Sequence, residues 1–200
     1  TVTIETNDKN DKVEVTLDNV NIKAASGSAL TSEGDVTLTL KGDNSLTGGV
    51  SDNGIYGRYG IDSNGSLTIT GGETDSLTAK GGSGTYDGGT GIYSNSLTIS
   101  GGTVNANGGD GKNGSGGSGI TSLGSLTISG GTVNAAGGDG TNSSDGGDGI
   151  TNNRGVTISS GGTVTAKGGS GEDGGRGISS LGGVTISSGG TVTATGGNST

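Results

Sequence analysis

Residues 125–140 read SLTISGGTVNAAGGDG, and residues 96–111 read SLTISGGTVNANGGDG, with looser copies before and after. In SLTIS the apolar Leu126 and Ile128 alternate with Ser125, Thr127 and Ser129, the two-residue period of a strand with one buried face. TVNA repeats the pattern with Val133 and Ala135 inward. Between the two lies Gly130-Gly131, where the lack of a side chain permits a sharp bend. Each apolar run is too short for a helix, and GGDG then opens a glycine-rich segment.

Three elements recur along the chain. A small residue followed by an apolar one gives Leu30, Ile61, Ile92, Ile120, Ile150 and Ile178. The tripeptides LTI and VTI centre on Thr68, Thr98, Thr127, Thr157 and Thr185, with VTL adding Thr16 and Thr37. TVNA and TVTA place a valine at 104, 133, 164 and 192, with Ile22, Leu46 and Leu77 as looser counterparts. From Leu30 onward the unit returns every 28 to 31 residues. Three short strands per repeat, stacked on their equivalents one coil away, define an all-β, right-handed parallel β-helix of about six to seven coils. At roughly 4.8 Å per coil the rod is on the order of 30 to 35 Å long. An antiparallel sandwich also has many short strands, but it does not require near-identical side chains at one fixed period.

In two successive coils the inward set is Ile92, Leu97, Ile99, Val104 and Ala106, then Ile120, Leu126, Ile128, Val133 and Ala135. Burying each large aliphatic contributes roughly 1.5 to 3 kcal/mol, enough for a thin core when the strand ladders are complete. Asn64, Asn95 and Asn153, with Leu123 and Leu181 as substitutes, occupy the corner between first and second strands, where Asn tolerates left-handed backbone and its amide can ladder. Residues 1–23 fit the repeat less well and carry Glu5, Asp8, Lys9, Asp11, Lys12 and Glu14. They are expected to form a polar N-terminal cap and the first strands, with 24–200 as the repeats of a single domain.

The composition limits the function. Fifty of 200 residues are Gly, only 24% are hydrophobic, and there is no His, Cys, Pro, Met, Trp or Phe. Such a chain would read as disordered were its few apolar residues not so regularly spaced. A net charge of -9 without basic clusters disfavours nucleic acid, because nothing neutralises phosphates. No apolar run approaches the roughly 20 residues of a membrane-spanning helix. Thr1 is not an initiator methionine, so a processed or excised piece is expected.

After the third strand come GGSGTYDGGTG, GGDGKNGSGGSG, GGDGTNSSDGGDG and GGSGEDGGRG, with Gly often at every third place, as in Gly108, Gly111, Gly114 and Gly117. That spacing suits extended helices of three residues per turn that pack along one side of the rod, with flexible linkers as the alternative. GGSGED at 168–173 also approaches the GGxGxD calcium repeat, although the candidates here lie a whole coil apart rather than about nine residues. Asp110, Asp139, Asp145, Asp148 and Asp173 are the candidate Ca²⁺ ligands, with solvated loop carboxylates as the plainer reading.

Tyr56, Tyr59, Tyr86 and Tyr93 are the four aromatic residues. A tyrosine ring stacks on the apolar face of a sugar while its hydroxyl hydrogen-bonds, so with Arg58 and Asp62 they form a candidate glycan patch; local packing within the loop is the alternative. Thr37, Thr68, Thr98, Thr127, Thr157 and Thr185 form an outward ladder similar to the ice-binding face of flat β-solenoids, although Ser in the flanking columns lacks the methyl such a face uses. Threonine is also simply a good strand former. Catalysis is not expected. Glycosidic cleavage needs paired carboxylates or a base beside a metal, whereas the strand faces carry Ser, Thr and Asn.

VTLDNVNIKAASGSALTSEGDVTLTLKGDNSLTGG at 15–49, followed by units such as SLTISGGTVNANGG, resembles the glycine-rich, carbohydrate-binding or adhesin-like parallel β-helix surface proteins of Gram-positive bacteria. The likeness covers nearly the whole chain from Val15. It implies secretion or cell-surface display, often bound calcium, attachment to polysaccharide or host glycan, and neighbouring domains in a larger surface protein. It supplies no ligand-binding residues to carry over. A structural stalk with no ligand of its own shares every feature except the tyrosines.

Overall fold

A computed structural model describes residues 1–6 and 11–200, so Asp8 and Lys9 lie outside the described residues. The chain is an all-β solenoid of seven coils, and every pairing between its strands is parallel. Each coil contributes one strand to each of three sheets. In the fifth coil these are Ile120–Ser122, Ser125–Ile128 and Thr132–Ala136. The first two sheets merge where Ile61–Thr70 and Ile92–Ile99 run through the corner as single strands. Val2–Ile4, Lys12–Asp18 and Asn21–Lys23 supply the first rung of all three sheets.

Repetition in the sequence becomes vertical stacking. Leu30, Ile61, Ile92, Ile120, Ile150 and Ile178 form one inward column. Val36, Leu67, Leu97, Leu126, Val156 and Val184 form another, beside Leu38, Ile69, Ile99, Ile128, Ile158 and Ile186. The ten inward residues of the fourth and fifth coils are all buried. Burial comes from the neighbouring rung: Ile158 is 0% exposed, whereas Ile186 in the seventh coil is 51% exposed.

Two expectations need correction. Ile22 and Leu46 do not share the valine column. Ile22 pairs with Leu46 and Leu46 with Ala79, which places both in the column of Ala106, Ala135, Ala166 and Ala194. A slip of two residues preserves the inward face, so alternation alone could not detect it. Asn44 occupies the valine column instead, buried, with its Oδ1 accepting from Val20 N at 2.9 Å and its Nδ2 donating to Lys41 O and Ser76 O, each at 3.2 Å.

The corner asparagines are not left-handed. Outside glycine, left-handed backbone occurs among the described residues at Asn19, Asn142, Ser143, Ser160 and Ser188. In the third and fourth coils this corner is a shallow bend that a single strand follows, and where it does turn left-handed glycine takes the position, Gly34 with φ of 73° and Gly183 with φ of 82°; Asn95 Nδ2 does donate to Asn64 O one coil away, at 3.0 Å. At the second corner Gly102 and Gly131 have φ of 76° and 74°, as the GG pairs imply.

The glycine-rich segments stack along one side of the rod, as their three-residue spacing predicts. Each goes out and back as two extended arms. Outgoing arms donate at positions three apart to the next coil's outgoing arm: Gly108 N to Ala136 O and Gly111 N to Asp139 O, at 2.8 and 2.9 Å. Returning arms do the same, with Gly116 N to Asp145 O and Gly119 N to Asp148 O, both at 3.0 Å. The middle glycines tie the two sets together. Gly197, Gly175, Gly169, Gly147, Gly138, Gly117, Gly109, Gly89 and Gly82 each donate to the carbonyl of the next residue named, and Gly82 donates to Arg58. None of these glycines has a positive φ. They are needed for space, because a Cβ at Gly109, Gly138 or Gly169 would fall closer than 3.0 Å to a neighbouring arm's carbonyl oxygen.

Candidate functional site

The four tyrosines divide into two pairs. Tyr56 and Tyr86 lie toward the loop tips, edge to face, with ring centroids 6.2 Å apart and planes at 75°. Their backbones are fixed by Tyr56 N donating to Ser51 Oγ at 2.9 Å and Tyr86 N donating to Ile55 O at 2.8 Å. Both rings are exposed. Tyr59 and Tyr93 stack in parallel at the base of the arms, centroids 5.0 Å apart and planes within 9°. These rings are half-buried.

The second pair belongs to the outward face of the first sheet. Tyr93 follows Ile92 in its strand and pairs directly with Asp62, which pairs in turn with Thr31. Tyr59 precedes Gly60 in the coil before and reaches the ring of Tyr93 across the stack. Burial raises the Asp62 carboxyl above the ordinary 3.8, with Arg58 partly offsetting it. The same burial, reinforced by Asp62 and Tyr93, raises the Tyr59 hydroxyl above 10.0, again against the pull of Arg58. Tyr59 therefore remains a neutral hydrogen-bond donor at neutral pH.

Asp62, the register partner of Tyr93, also lines a hollow of about 230 Å³ together with Thr3, Glu5, Thr31, Glu33 and Asn64, among others. Aromatic faces next to carboxylate acceptors and hydroxyls can hold a polyhydroxylated ligand by stacking and hydrogen bonding together. Sequence reasoning singled out Asp62 but not Glu5, Glu33 or Thr31. Glu5 and Glu33 sat outside any recognised repeat column, and only the pairing of the first strand with Leu30–Ser32 brings that coil's end alongside.

The acidic loop residues are used in another way. Asp110 Oδ1 accepts from Asp139 N at 3.0 Å, and Asp139 Oδ1 accepts from Ser170 N at 2.7 Å. Ser83 Oγ begins the series by accepting from Asp110 N at 3.2 Å. In the arms at 108–110, 137–139 and 168–170 the two glycine amides find carbonyls, and the third amide takes a side-chain oxygen from the coil before. Asp148 likewise accepts from Arg176 N at 2.7 Å and from Thr151 Oγ1 at 3.2 Å. Asp145 and Asp173 line a 390 Å³ hollow with Asp148 and Arg176. Three of the five candidate Ca²⁺ ligands, Asp145, Asp148 and Asp173, thus share one hollow, whereas Asp110 and Asp139 do not line it; among the described residues no three carboxylates stand close enough together to hold a cation.

The outward threonines do form one continuous column: Thr37, Thr68, Thr98, Thr127, Thr157 and Thr185 pair in sequence across six coils. Ser66, Ser96 and Ser125 run along one side of it. The corner next to that serine column opens into a groove of about 730 Å³, whose Asn64, Asn95 and Leu123 the sequence assigns to corner geometry and whose Ser66, Ser96 and Ser125 it assigns to the outward ladder. Compared with protein-family models, curated proteins and solved structures, the chain gives no match.

Proposed function

We propose that the chain is a non-enzymatic adhesion module of a secreted or cell-surface protein, and that it binds polysaccharide or host glycan on the outward face of its first sheet. The observation that carries this reading is the parallel Tyr59–Tyr93 stack beside half-buried Asp62 and its hollow. A Tyr93 spent on loop packing alone has no need of a strand position in register with a carboxylate. The rod holds the site rigidly, since both partners sit on hydrogen-bonded rungs, and so little ordering cost falls on ligand capture. Arg58 keeps the patch from being purely acidic, consistent with a neutral or mixed glycan in a chain of net charge -9.

The test is a glycan array and affinity electrophoresis with the wild-type chain and with Tyr59→Ala/Tyr93→Ala. Retention lost in the variant supports the site. Equal retention removes it.

A second reading rests on the six-threonine column. If that face binds ice, the wild-type chain shows thermal hysteresis and Thr127→Lys abolishes it. A passive stalk shows neither glycan retention nor hysteresis.

A further inference from the structure

From the second coil onward, the first and second inward columns are separated by six residues: Leu30 to Val36, Ile61 to Leu67, Ile120 to Leu126, Ile150 to Val156 and Ile178 to Val184. The fourth coil has five, Ile92 to Leu97. The corner residue present as Gly65, Gly124 or Arg154 in its neighbours is missing there, and Asn95 runs straight into Ser96. The shortened coil accounts for the shift in strand register between Ser63 and Ser66. It also leaves a notch in the edge of the rod, and the 730 Å³ groove is centred on it.

We infer that this notch is a binding subsite for a neutral, hydroxyl-rich polysaccharide segment lying along the rod axis. The inference extends the glycan-binding reading, and Asn64 joins the two places because it lines both the groove and the Asp62 hollow. The groove takes residues from five successive coils, Asp35, Asn64, Ser96, Ser125 and Arg154 among them, and so spans roughly 19 Å. A volume of that size matches ordinary ligand sites.

Its chemistry is selective. On the three middle rungs Asn64 and Ser66, Asn95 and Ser96, and Ser125 supply amides or hydroxyls, donors and acceptors suited to a polymer of similar units. Leu123, 38% exposed, gives an apolar surface for a sugar's C–H face. One carboxylate, Asp35, and one guanidinium, Arg154, leave the groove close to neutral, which disfavours a polyanion. An extended peptide is excluded as the fitting ligand because the strands forming the groove already use their amides and carbonyls along the axis, leaving no free edge to pair with. Arg154 is held from below, since its amide donates to the buried Asn152 Oδ1 at 3.0 Å.

The experiment inserts one glycine between Asn95 and Ser96, restoring the corner that neighbouring coils carry. A second variant, Leu123→Ala/Arg154→Ala, alters exposed side chains only. Both are compared with wild type and with Tyr59→Ala/Tyr93→Ala in affinity gels containing a neutral β-glucan, a galactomannan or polygalacturonate, with circular dichroism as the check on fold. The expected result is a wild-type preference for a neutral polymer, weakened about tenfold or more by either groove change. Unchanged retention in the Leu123/Arg154 variant overturns the notch. Loss in the tyrosine variant alone keeps the surface reading and overturns the notch; loss in the groove variants alone does the reverse. Wild-type retention by polygalacturonate alone, or by no polymer, also overturns the notch.

Discussion

The amide of Gly109 donates to the carbonyl of Gly89 at 2.8 Å, joining the outgoing arm of one coil to the returning arm of the coil before. Gly117 then donates to Gly109 at 2.9 Å, and Gly138 to Gly117 at 2.8 Å, so the bond is one link in a relay along the whole rod. The glycine-rich segments are thus a second hydrogen-bonded layer, built from extended arms rather than strands.

Substituting Gly109 by Ala drives a methyl toward the carbonyl of Gly82, which is backbone and cannot swing aside. The expected loss is about 3 kcal/mol, at the upper end of overpacking costs. Gly196→Ala meets only Gly175 O at an ordinary 3.6 Å and stays within about 0.5 kcal/mol of wild type. Urea unfolding of the two variants measures the difference. Similar values would mean that the arms do not pack as a layer.

Asp139→Ala leaves the amide of Ser170 without its acceptor and costs about 1 kcal/mol, the range of a lost helix-cap side chain. Asp139→Ser costs little, because Ser83 already fills this role in another coil. With the carboxylates of Asp110, Asp139 and Asp148 committed to backbone amides, chelator and millimolar calcium leave the melting temperature unchanged. A calcium-dependent rise would show that the acidic loops bind the ion after all.

Asn44→Ala unpairs Val20 N and the carbonyls of Lys41 and Ser76 in a buried setting, an expected loss of about 2 to 4 kcal/mol. Asn44→Leu restores the apolar column but still strands those groups, and is expected to remain below wild type. If Asn44→Leu proves more stable than wild type in thermal unfolding, the amide network is dispensable.

Asp62 and Asp75 respond oppositely to acid. The Asp62 carboxyl is raised by burial, so the folded state holds its proton longer than the unfolded state does. Its charge therefore costs stability as pH climbs from 3.8 through the raised folded value, and the cost persists at neutral pH. Asp62→Asn is expected to melt slightly higher than wild type at neutral pH, and no higher well below 3.8. Asp75 accepts the amides of Gly42 at 2.8 Å and Gly72 at 2.7 Å, which hold its carboxyl below 3.8. Its contribution is present above 3.8 and lost as pH falls through the lowered folded value. Melting curves of Asp62→Asn and Asp75→Asn across the acid range check both signs.

In SLTISGGTVNAAGGDG the sequence by itself determined the architecture, because each side chain stacks on its own equivalent and only a repeated inward set can bury itself that way. Leu126, Ile128, Val133 and Ala135 face inward and the Gly130-Gly131 corner turns as their identities require. The recurrence of Gly at every third place likewise reported the packing of the arms. Tertiary structure alone decided the rest. The Asp of GGDG resembles a metal ligand in one dimension and is an amide acceptor for the next coil in three. Tyr59 and Tyr93 lie 34 positions apart in the chain, and only the superposition of coils stacks their rings and separates them from Tyr56 and Tyr86. The missing corner residue at Asn95-Ser96 is a small irregularity in the repeat, and it becomes a groove because the coils on either side keep theirs. Periodicity fixes what each coil shares with its neighbours, whereas a site depends on where one coil differs, and that difference has a shape only once the coils are stacked.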